Sequence, residues 1–142
     1  MTDLVYSPME LMEIHLRSLA TSMDEFNTNT NVFDNSGLMV RQMKIKAGEI
    51  ILGKIHNEWN VNILASGSLY VMADPSKDKV KITAPHVFET GPNSQKLGFA
   101  ITDCVFMNVM RSEPGEKPEE AVSRMTKESR VTKQIEKETL WQ

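Results

Sequence analysis

The chain of 142 residues has one cysteine, Cys104, which excludes an internal disulfide, and its three histidines, His15, His56 and His86, leave too few ligands for a Cys/His zinc finger. No run of about 18 apolar residues is present, which excludes a membrane-spanning helix. The N-terminus lacks the basic-then-apolar pattern of a secretory signal, so the expected setting is a reducing cytoplasm. Basic excess is also missing: 16 Lys and Arg stand against 19 Asp and Glu, a net charge of -3, which disfavours a direct nucleic acid partner. What is present is ordinary for a folded domain, with 40% hydrophobic and 25% charged residues.

Three segments differ in character. In residues 1–31, Ser7-Pro8-Met9-Glu10 combines an N-cap serine, a first-turn proline and a capping-box glutamate, which predicts a helix starting there. Met12, Leu16, Leu19, Met23 and Phe26 follow at spacings of four, three, four and three, and so share one apolar stripe. The polar run Asn27 to Asn31 reads as a linker.

Residues 32–112 hold short runs of Val, Ile, Leu and Met separated by Ala47-Gly48, Ser66-Gly67, Asp74-Pro75-Ser76 and Gly91-Pro92-Asn93. That pattern predicts antiparallel strands at 38–46, 49–56, 60–65, 68–73, 79–83, 87–89, 96–101 and 104–110, closing into a small barrel or sandwich. Along the second strand, alternation puts Ile50, Leu52, Lys54 and His56 on one face, expected to point inward, and Ile51 and Ile55 on the other. Residues 113–142 form a C-terminal arm whose helix begins at Pro118-Glu119-Glu120. Its apolar content is thin: Val122, Met125, Val131, Ile135 and Leu140, with Trp141 as an anchor. The ten methionines suit either an irregular core or an adaptable interface.

The stretch Gly48 to Gly67, with Lys54, His56 and Asn60 at the spacing of a G-x5-H-x-H-x3,4-E-x6-G signature, resembles the first signature of the cupin superfamily. Ala84 to Lys96 is similar to its second signature, with Lys96 at the position of the third histidine and His86 outside the ligand position. The resemblance implies a mainly β, jelly-roll barrel, here with flanking N-terminal and C-terminal helices. It implies a divalent metal in typical members, but the positions here carry Lys54, His56, Asn60 and Lys96. Two ammonium groups, one imidazole and one amide make a poor donor set, so neither metal nor other cofactor is expected. Ala47-Gly48, Lys54-Ile55-His56, Gly67, Ala84-Pro85, Pro92, Asp103 and Phe106 also resemble small cupin-like proteins encoded by tailed bacteriophages.

Two functions follow as expectations. In the first, a non-catalytic phage protein serves as a head, neck or tail decoration or adaptor subunit. It would be located in the virion or in the host cytoplasm during infection, forming a homo-oligomer and meeting other phage structural proteins through Met12, Leu16, Leu19, Met23, Phe26, Val122, Met125 and Trp141. Residues 111–142, with seven charges of each sign, fit such an arm. In the second, Lys54, His56, Asn60 and Lys96 line a metal-free pocket for an anionic small molecule, as a binding protein or an isomerase-like enzyme. The same four residues read equally as polar groups bonded to one another. Cys104 reads as a buried, inert thiol and His15 as a helix-surface residue.

Overall fold

A computed structural model describes residues 5–18, 27–72, 75–131 and 133. Helix α1 spans Pro8–Ser18, and its start is the one the sequence prescribes. The Ser7 amide donates to Glu10 Oε1 at 2.9 Å and the Glu10 amide donates to Ser7 Oγ at 3.1 Å, so two otherwise orphaned N–H groups are satisfied reciprocally.

The strands are β1 (Asn27–Phe33), β2 (Leu38–Ile45), β3 (Ile50–Leu52), β4 (Ile55–His56), β5 (Asn60–Ser66), β6 (Ser68–Met72), β7 (Val80–Thr83), β8 (His86–Thr90), β9 (Leu97–Ala100) and β10 (Cys104–Arg111), followed by helix α2 (Pro118–Met125) and β11 (Thr126–Lys127). They form a five-stranded sheet ordered β1-β2-β10-β5-β8, a four-stranded sheet ordered β3-β9-β6-β7 and a ribbon of β4 with β11, all antiparallel. Ile45, Leu64, Cys104 and Phe106 of the first sheet meet Ile51, Leu69, Ile82 and Ala100 of the second, which is the sandwich core expected of facing inward stripes.

Three expectations are corrected. Residues 27–31 are not a linker: β1 pairs with β2 over seven residues from Asn27↔Lys44 to Phe33↔Leu38. Ladder hydrogen bonds and the docking of Val32 against Met39 and Met110 outweigh the turn preference of Asn and Thr, which an edge strand tolerates. The barrel therefore starts before residue 32. The stretch 49–56 is not one strand, and its parity is reversed over residues 50–52 only. Ile51 enters the core, whereas Leu52 faces out beneath α1 with Leu97. Gly53 and Lys54 then interrupt the ladder, and the alternation restarts so that His56 is buried. The C-terminal arm also contains β11, whose thin apolar content gave no signal because it is held by backbone pairing, Thr126↔His56 and Lys127↔Ile55.

The helices are fastened to their own barrel. Leu16, 4% exposed, packs with Leu52 and Leu97, with Met12 and Met9 beside it. Met125, fully buried, packs with Met39, Met110 and Ala121, with Val122 alongside. Met12, Leu16, Val122 and Met125, expected at intermolecular contacts, are thus used within the chain, while Leu19, Met23, Phe26 and Trp141 lie outside the described residues. The two ends also meet: Ser129 Oγ donates to Glu13 Oε2 at 2.8 Å, and Arg130 pairs with Glu10 at 2.8 Å.

Candidate functional site

The sandwich encloses a cavity of about 590 Å³ on the side where β2, β10 and β8 approach the 91–96 turn. Its floor follows from strand register. Arg41 lies opposite Asn108, Asn108 opposite Asn62, and Asn62 opposite Phe88, so one row crosses four strands with its polar groups pointing inward. Polar residues at inward positions are costly unless bonded, and the asparagines are bonded to one another. Asn108 Nδ2 donates to Asn62 Oδ1 at 2.9 Å and to Asn60 Oδ1 at 2.7 Å, and Asn62 Nδ2 donates to Thr90 Oγ1 at 3.1 Å.

Of the four residues expected to form the pocket, Lys54, His56 and Lys96 line it. Lys54 is exposed at the rim. Asn60, 3% exposed, sits behind the lining and acts as the acceptor that organises it. Its Oδ1 receives Lys96 Nζ at 3.3 Å, Thr90 Oγ1 at 3.1 Å and Asn108 Nδ2. The 91–96 turn is sewn to the His56 segment by backbone bonds: Gly53 N to Lys96 O at 2.9 Å, His56 N to Ser94 O at 2.9 Å and Asn93 N to His56 O at 2.7 Å. His56 and Lys96 are therefore fixed relative to each other by main chain, which suits a preorganised site.

The lining is cationic and amphipathic. Among the described lining residues Arg41, Lys54, Lys77 and Lys96 outnumber one carboxylate, Asp78, and Met43, Ile45, Ile51, Leu69, Val71, Phe88 and Phe106 supply apolar surface. Burial, followed by the positive charges of Lys96 and Arg41, pushes His56 from 6.5 down to about 3, so its imidazole is neutral at physiological pH. Burial, followed by the Arg41 charge, lowers Lys96 from 10.5 to about 8. Three buried atoms of lining residues, His56 Nδ1, Ser94 Oγ and Asn108 Oδ1, have no hydrogen-bond partner among the described residues.

Sequence reasoning missed Arg41, Ser94 and Asn108. The signal for two of them was present: Arg41 interrupts the inward series Met39, Met43, Ile45, and Asn108 interrupts Cys104, Phe106, Met110. Trp59, exposed, lies against Gly91 and does not line the cavity. Cys104 is buried, donates to the Ser68 and Thr102 carbonyls and has its thiol pushed up by burial, as an inert core residue should.

No protein-family model matches the chain, and no curated protein matches its sequence. Solved structures do. Ectoine synthase from P. lautus superposes with a TM-score of 0.52 at 16% identity, covering 71% of this chain and 78% of the synthase. A cupin-2 domain containing protein from Shewanella frigidimarina gives 0.49 at 10% identity, covering 68% and 91%. An acetylacetone dioxygenase from Acinetobacter johnsonii gives 0.48 at 13% identity, covering 59% and 58%. The architecture, a jelly-roll of two antiparallel sheets with flanking helices, is cupin-like.

A divalent metal of the kind this fold often carries does not fit these residues. Lys96 supplies an ammonium donor where a lone pair is needed, Asn60 Oδ1 is already occupied by three donors, and Arg41 adds positive charge beside the single imidazole. Among the described residues, no three His, Cys, Asp or Glu side chains are grouped to hold an ion. Nor is any helix among them long and apolar enough to cross a membrane.

Proposed function

We propose that the barrel is a metal-independent receptor for a small anionic molecule with an apolar body, held inside the cavity. One observation carries this reading: Arg41 and Lys96 share a cavity with a neutral His56 and with Ser94 Oγ and Asn108 Oδ1, which have no partner among the described residues, while much of the remaining lining is hydrocarbon and aromatic. Buried polar atoms without partners are costly, and an oxyanion or hydroxyl-bearing ligand would satisfy them. Two cations in a low-dielectric site favour a carboxylate or similar anion strongly. The apolar wall selects a ligand with a hydrocarbon or aromatic portion.

Nothing in the fold or its likenesses points to a virion. Of the eight residues expected to carry assembly, Leu16 and Met125 are buried within the chain. The fold hosts catalysis as readily as binding, and an ectoine synthase shares it, so the function lies in the site. Calorimetric titration with benzoate, an apolar carboxylate, tests the reading against benzylamine, its cationic counterpart. Benzoate should bind and benzylamine should not, and Arg41→Gln should weaken benzoate binding by about tenfold or more. Equal binding of the two probes, or none of benzoate, would overturn the proposal.

A further inference from the structure

The geometry points to Lys96 as a nucleophile: we infer that its Nζ condenses with the carbonyl group of a 2-oxo carboxylate in the cavity, forming an imine. The inference rests on the anion-receptor reading and extends it from binding to covalent chemistry.

Lys96 differs from an ordinary structural lysine in three respects. It has no carboxylate partner among the described residues; its Nζ donates to the neutral Asn60 Oδ1 at 3.3 Å. It stands next to Arg41, a permanent cation, inside an apolar-walled cavity. Its backbone carbonyl accepts from the Gly53 amide at 2.9 Å, which fixes the turn that carries the side chain. Desolvation and like charge both favour the free amine, and the lowering to about 8 follows from them. About a tenth of the side chain is thus unprotonated at pH 7, where a surface lysine is almost wholly ammonium.

The ligand chemistry is set by the neighbours. A carboxylate directed to Arg41 places an adjacent carbonyl carbon toward Lys96, and the remaining hydrocarbon meets Met43, Phe88 and Phe106. In the first step the Nζ lone pair attacks the carbonyl carbon, the C=O π pair moves to oxygen, and oxygen gains the proton that nitrogen loses. In the second the carbinolamine hydroxyl accepts a proton and leaves as water while nitrogen forms the C=N bond. No oxidant or reductant is consumed. The protons are exchanged with solvent water, and His56, neutral and with Nδ1 unpartnered among the described residues, offers a ring nitrogen for a hydrogen bond to the carbinolamine.

The test uses the full chain with phenylpyruvate as the 2-oxo acid and cyanoborohydride as the trap, which reduces an imine to a stable secondary amine. Intact mass and peptide mapping then locate the adduct. One adduct at Lys96 is expected, formed about tenfold or more faster than at any other lysine, with a rate that rises through a midpoint near 8. Benzoate should protect Lys96 in the unmodified protein. Lys96→Arg, which has no nucleophilic amine, should form no adduct at the cavity. Adducts spread evenly over surface lysines, or none while benzoate still binds, would overturn the imine and leave the receptor standing. Loss of benzoate binding in the unmodified chain would overturn both.

Discussion

The neutral, buried His56 makes a quantitative demand on stability. Its folded value is about 3 against 6.5 for an unperturbed histidine, so below pH 6.5 the unfolded chain takes up a proton that the folded chain refuses. Stability from this residue is fully present above 6.5 and is lost as pH falls toward 3. The slope is about 1.4 kcal/mol per pH unit, and two units of acidification cost about 2.7 kcal/mol. Against a domain stability of roughly 5–15 kcal/mol, and a urea m-value of about 1–3 kcal/mol/M, that is a fall in midpoint of about 1–3 M. Carboxylates titrate in the same range, Glu10 among them, so the informative quantity is the difference between the parent and His56→Gln in urea melts across the pH series. The variant should be less stable at neutral pH and should lose less on acidification, the two curves converging toward low pH. Parallel curves through the whole window would refute the picture of a histidine kept neutral by burial and by Lys96 and Arg41.

Other outcomes follow from packing. Gly67 has φ of +91°, and a Cβ there would lie 2.2 Å from the Asp103 carbonyl oxygen, so Gly67→Ala should cost on the order of 2–4 kcal/mol, read as a lowered melting temperature. Leu16→Ala should cost about 2–5 kcal/mol in a concentration-independent melt, because the leucine fills a space within its own chain against Leu52 and Leu97; a concentration-dependent loss would place that face between subunits. Asn60→Ala should cost roughly 1–3 kcal/mol by stripping an acceptor from Lys96, Thr90 and Asn108, and should weaken benzoate binding in the same titration that serves the parent protein.

Much of the barrel was legible because its strands are punctuated by residues with local work to do. The Ala47-Gly48 turn is tied by the Ala47 amide to Asp103 Oδ1 at 2.9 Å, and Gly67 is required by contact, so these motif residues hold the fold. His56 and Lys96 stood at signature positions of the family that the sequence resembles, and both line the cavity. Arg41, Ser94 and Asn108 were not found, since what brings them together is cross-strand register and a turn sewn to a distant segment, both long-range properties. Periodicity failed at Gly53 and Lys54 for a related reason: a count of two along the chain assumes an unbroken ladder, and nothing local announces that the ladder stops. β1 was hidden by its own polar composition, which an edge position permits.

The interruption at Gly53 and Lys54 separates two design problems that a continuous strand would tie together. Upstream, Ile51 and Leu52 answer to the core and to α1; downstream, His56 answers to the cavity. Substitutions at 54, 56, 94 and 96 can therefore alter what the cavity accepts without re-sorting the hydrophobic faces that keep the barrel closed. A lineage built on this chain could move from one ligand chemistry to another by point changes alone, each intermediate still folded.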